Sequence, residues 1–117
     1  AALLAMGPRM VTITAGAAGA VLATAERLVH RDAFAVAAVD TTGAGDVFCG
    51  ALLHGLLCCW SASRMLEFAM AAAAAKCRGL GNREALPTVA EVDALMRTRG
   101  GGGCEPVPSA PLPGRVR

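Results

Sequence analysis

Residues 40–51 read DTTGAGDVFCGA, a run of small side chains that passes directly into apolar helical periodicity. Small residues at 43–45 leave the main chain open to close approach. The first amides of a helix have no partner within it and lie at the positive end of its dipole. Such a junction is an anion site, and a phosphate suits it. Asp46 follows in the first turn, which sets a carboxylate beside the place where a phosphoryl group would be held. These parts suffice for phosphoryl transfer to an alcohol: the carboxylate takes the hydroxyl proton while the amides stabilise charge on the phosphoryl oxygens.

Other phosphate motifs do not account for the segment. No Gly-Lys-Ser/Thr follows, so it is not a P-loop, and the glycine spacing departs from a dinucleotide fingerprint. An isolated GAGD could also be a plain capped turn, with Asp40 or Thr42 as N-cap and Asp46 complementing the dipole. The longer pattern distinguishes the two readings.

Composition narrows the class. The chain has 117 residues, 55% hydrophobic and 17% charged, enough for one domain with a core, although small alanines supply much of the apolar count. Eleven basic residues against nine acidic, with 3% aromatics, provide neither the field nor the stacking platforms for nucleic acid. The most apolar run, residues 47–60, is short of the roughly 20 residues that span a bilayer and carries His54. It reads as a buried helix, and no membrane association is expected. Cysteines at 49, 58, 59, 77 and 104 lack zinc spacing and imply reduced thiols in a cytoplasmic protein, those on the helix packing as small hydrophobes. The opening AALLAMGPRM has no signal-peptide pattern and no initiator Met, and reads as the middle of a longer chain.

After a helical tail at the start, residues 10–15 (MVTITA) and 20–24 (AVLAT) read as neighbouring strands around a Gly16–Gly19 turn; residues 27–31 and 34–39 are weaker strand candidates. From residue 44 the period becomes helical. Phe48, Leu52, Gly55, Leu56 and Cys59 share one face of a helix over about residues 44–59. Ser61 or Ser63 caps a second helix ending near Cys77, before Gly79 and Gly81. Thr88 and Glu91 form a capping box for a third, over residues 89–97. Residues 1–99 thus form the ordered part, and residues 100–117, rich in glycine and proline, are expected to be a disordered tail.

DTTGAGDVFCGALL resembles, position by position, the carboxy-terminal signature of the PfkB carbohydrate kinase family of the ribokinase-like superfamily. The resemblance covers about residues 1–97 and implies a partial ribokinase-like α/β fold, the carboxy-terminal strands and helices of a larger sheet domain. It implies ATP- and Mg2+-dependent phosphorylation of a sugar or nucleoside hydroxyl. Asp46 would be the catalytic base, with the Gly43, Ala44 and Gly45 amides as anion hole. The Thr14–Gly19 stretch is similar to the family's T-x-G-x-x-G turn along the nucleotide, so Thr14, Gly16 and Gly19 are implied ATP contacts; a plain β-turn explains those glycines equally.

Residues 68–87 resemble the family's alanine-rich helix and glycine loop bordering the adenine, with Met70 where many members place a polar neighbour. In members activated by a monovalent cation such as K+, the signature's first aspartate and nearby carbonyls hold the ion. That implies Asp40 and Thr42 here, with carbonyls around Lys76, Gly79 and Gly81; the plainer reading is that Asp40 caps the turn. His30 and His54 match no motif and suit surface or packing roles.

The family's amino-terminal glycine motif, sugar-gripping residues and lid are not in the sequence. The isolated chain is therefore expected to be unstable and inactive, with apolar edges exposed. A non-catalytic nucleotide-binding module and a decayed kinase remnant are the competing readings. Which hydroxyl is phosphorylated, and the oligomeric state, are not encoded in these residues.

Overall fold

The computed structural model describes residues 2–99; the segment expected to be a tail, Cys104 included, lies outside them. A helical turn, α1 (Ala2–Ala5), precedes strands β1 (Met10–Thr14), β2 (Ala20–Thr24) and β3 (Leu28–Arg31), followed by helices α2 (Ala44–Leu57), α3 (Ala62–Cys77) and α4 (Val89–Thr98). The strands form an antiparallel meander in the order β1-β2-β3.

Period-2 geometry decides which sheet face is covered. Ala20 and Leu22 on the central strand are buried, and their partners across β3 are Arg31 and Val29. This face meets α3, where the Arg31 guanidinium donates to the Ser63 hydroxyl. Helix α3 also packs against α2 and α4. A helix enclosed on three sides must be apolar nearly all round, and α3 buries Met65, Leu66, Phe68 and Ala69–Ala72. Its alanines contribute little area each but let neighbouring elements come close.

Helix α2 presents a narrower stripe of Phe48, Leu52 and Gly55. Its opposite face carries Leu53 and Leu57, both exposed. The helix stops at Leu57, two residues before the expected end. There the N–H of Cys59 donates to the Leu56 carbonyl and that of Trp60 to Gly55, with Cys59 at φ 57°. This Schellman arrangement satisfies carbonyls that the helix leaves open.

Two expectations need correction. Residues 34–39 form no strand among the described residues: Phe34 is buried, and the Val39 and Asp40 N–H groups donate to the Cys77 carbonyl at 2.7 and 3.2 Å. The segment satisfies its last amides at the end of α3 instead of joining the sheet. Cys49, Cys58 and Cys59 are exposed and do not pack as small hydrophobes; only Cys77 of the described cysteines is buried. Cys49 lies off the narrow covered stripe of α2, and Cys58 and Cys59 fall in the turn beyond its end.

The caps follow the sequence. Ser61 accepts from the Arg64 N–H at 3.3 Å to start α3. At α4 the Thr88 hydroxyl accepts from the Glu91 N–H at 3.3 Å, and the Glu91 carboxylate accepts from the Thr88 N–H at 2.6 Å.

Candidate active site

The junction of residues 40–46 with α2 is held from three directions. Within the loop, the Thr42 N–H donates to Asp40 Oδ1 at 2.9 Å. From the loop after α3, the Gly81 N–H donates to Oδ2 at 3.2 Å. From α3 itself, the Lys76 Nζ donates to the Asp40 carbonyl oxygen at 3.0 Å and lies 3.7 Å from Oδ2. The donors at Thr42, then Gly81, with the nearby Lys76 charge, hold the Asp40 carboxyl down to about 2.

Gly43 is the N-cap of α2, with φ 77° and no side-chain cap. Positive φ suits glycine there. The N–H groups of Gly43, Gly45 and Asp46 donate to no group among the described residues, whereas that of Ala44 donates to the Thr41 carbonyl at 3.2 Å. Of the three amides expected to hold an anion, two are therefore open and one is engaged in the turn. A Cβ at Gly45 would meet nothing within 4 Å, so the main chain is approachable there. Asp46 is exposed in the first turn.

Gly43 and Asp46 line an open cavity of about 440 Å³ whose walls include His54, Phe68, Lys76 and Asn82. Asn82 and Lys76 came into play only through folding: the Asn82 Oδ1 would lie 2.9 Å from a Cβ at Gly43, and the Lys76 side chain is buried against Asp40. The one sequence signal is a lysine directly after the five alanines 71–75 of α3. His54 packs edge-on to Trp60, with centroids 5.4 Å apart, and beside Phe68, in keeping with a packing role.

Thr14, Gly16 and Gly19 sit together at the β1–β2 turn but are not among the cavity's lining residues. Thr14 pairs with Ala20 across the hairpin. Gly19 has φ 93°, and a Cβ there would run into the Arg31 carbonyl, so local geometry alone already requires a glycine. Met70 is buried and also lies outside the cavity lining.

A small-residue loop feeding a helix, an exposed carboxylate in its first turn and an antiparallel sheet backed by the alanine-rich α3 make up a segment of ribokinase-like fold. The chain belongs to the pfkB family of carbohydrate kinases, whose family profile matches residues 1–89. It is 32% identical over 90 residues to an ATP-dependent 6-phosphofructokinase of Thermoanaerobacterium thermosaccharolyticum, an alignment covering 77% of this chain and 28% of that one. Among solved structures, a protein assigned as ribokinase II of E. coli, crystallised with ATP and Mg2+, superposes with a TM-score of 0.79 at 29% identity, over 83% of this chain and 32% of that one. A Burkholderia thailandensis nucleoside kinase in complex with inosine gives 0.76 at 30% identity, over 86% and 34%. The chain thus spans under a third of the length of the curated relative it matches.

Proposed function

We propose that this chain carries the phosphate-holding and catalytic segment of an ATP-dependent kinase acting on a hydroxyl of a sugar or nucleoside. The observation that carries the reading is the placement of Asp46 and the open Gly43 amide on the wall of one cavity at the start of α2, with the open Gly45 amide between them in sequence. Relatives acting on both kinds of acceptor support the breadth of that class.

The residues assign themselves roles by chemistry. The Asp46 carboxylate accepts the proton of the acceptor hydroxyl as its oxygen attacks the γ-phosphorus of ATP, and ADP leaves with the bond to its bridging oxygen. Open amides at 43 and 45 donate to the oxygens of the transferring group, where negative charge accumulates. The dipole of α2, a 14-residue helix, adds to that field. Thr14, Gly16 and Gly19 would border the nucleotide from the β1–β2 turn.

ATP suits this site because its phosphates need donors of the kind left unpartnered here. Mg2+ suits it as an ion carried by the phosphates, since among the described residues no group of three or more His, Cys, Asp or Glu converges to hold a metal. Bound there, Mg2+ would neutralise phosphate charge.

A segment spanning under a third of its relative supplies part of a site, so the isolated chain is expected to bind ATP–Mg2+ without transferring phosphate. Calorimetric titration of the chain with ATP–Mg2+, followed by a labelled-phosphate assay against sugars and nucleosides, tests this. Binding supports the reading, and transfer would extend it to a self-sufficient kinase. Absence of binding overturns it.

A further inference from the structure

Lys76 is the one buried charged side chain among the described residues, with 0% of its surface exposed. Such a charge must be compensated, and the compensation comes from the residue that opens the loop. Its Nζ donates to the Asp40 carbonyl at 3.0 Å and lies 3.7 Å from the Asp40 carboxylate. The oxygens nearby have other donors too: Asp40 Oδ1 takes the Thr42 N–H, Oδ2 the Gly81 N–H, and the Lys76 carbonyl the Gly79 N–H at 3.1 Å.

A monovalent ion at Asp40 does not fit this arrangement. It would need several of these same oxygens at once, and it would stand within a few ångströms of an ammonium that water cannot reach to screen. We propose that the Lys76 ammonium is a built-in cation occupying the position at which a monovalent ion would sit, so that the shape of the 40–46 loop does not depend on K+. Lys76 acts here as a positioning residue: it touches Asp40, and through Asp40 it fixes the loop that presents Gly43, Gly45 and Asp46.

The test needs no nucleotide, so its outcome is independent of the kinase reading. Thermal unfolding of the chain is compared in potassium chloride and choline chloride at equal ionic strength, with the Thr42 and Gly81 amide resonances followed through the same titration. The expected result is a midpoint equal within about 1 °C in the two salts and amides that do not respond selectively to K+. Lys76→Ala should lower the midpoint and regain part of the loss in K+ but not in choline, since an ion that binds only the folded state stabilises it. A K+-selective shift in the wild-type chain would overturn the proposal, as would a Lys76→Ala protein of unchanged stability. If Lys76→Ala does not fold, the wild-type comparison decides alone.

Discussion

Gly43 and Asn82 approach so closely that a Cβ on residue 43 would lie 2.9 Å from the Asn82 Oδ1. One residue sits at the N-cap of α2 and the other in the loop beyond α3, so their contact closes one side of the cavity around Asp46. With φ at 77°, Gly43→Ala meets both a strained backbone and an obstructed side chain. The left-handed conformation alone costs about 1–2 kcal/mol for a non-glycine residue. Gly43→Ala should therefore lower the urea midpoint by a corresponding amount and weaken ATP–Mg2+ binding, both measurable on the same preparation. An unchanged midpoint would show that the loop relaxes freely around residue 43.

Asp46→Asn separates the two roles assigned to the junction. It removes the proton acceptor but leaves the main-chain amides of Gly43 and Gly45 in place. In a preparation that turns over, kcat should fall by roughly 10²–10⁴, the usual contribution of a general base, while ATP affinity from calorimetry changes little. Equal losses in affinity and rate would point to a binding role for the carboxylate and remove it as the base.

Acid should weaken the fold through two carboxylates. Asp40 is held at about 2 by the Thr42 and Gly81 donors and the Lys76 charge. Glu91 is lowered by the Thr88 N–H and hydroxyl in the capping box. For each, the folded state binds its proton less readily than the unfolded chain does. Their stabilisation is therefore fully present above the unfolded values near 4 and is lost as pH falls toward the folded ones. Urea midpoints should decline from about pH 4 toward pH 2, and Glu91→Gln should flatten part of the slope. A Glu91→Gln profile parallel to wild type across that window would contradict the capping contribution.

What was legible in the sequence is what local chemistry determines. The start of α2 near residue 44 and the Thr88–Glu91 box depend on residues within four positions of each other, and both form as read, whereas the 40–46 loop is also held by Gly81 and Lys76 from beyond it. Residues 34–39 failed as a strand because the acceptor for the Val39 and Asp40 amides is the carbonyl of Cys77, a partner that only the fold brings near. The partner of Lys76 is not legible for the same reason: it meets Asp40 across 36 residues of sequence. Apolar composition reveals neither how narrow the covered stripe of α2 is, which leaves Cys49 exposed with Leu53 and Leu57, nor that the helix stops before Cys58 and Cys59.

The end of α2 offers a stabilising substitution. Cys59 is the sole non-glycine residue at positive φ among the described residues, at 57°, and its N–H closes the helix on the Leu56 carbonyl. The side chain is exposed, so it contributes little packing to offset the strain. Glycine relieves the left-handed penalty of about 1–2 kcal/mol but adds some entropy to the unfolded chain, roughly 0.5–1 kcal/mol. Cys59→Gly should therefore raise stability by a few tenths to about 1 kcal/mol, seen as a higher urea midpoint with an unchanged slope. Cys58→Gly is the control, because Cys58 has φ −79° and needs no such relief. It should lower the midpoint, and a Cys59→Gly protein destabilised to the same degree would show that the left-handed cap is not under strain.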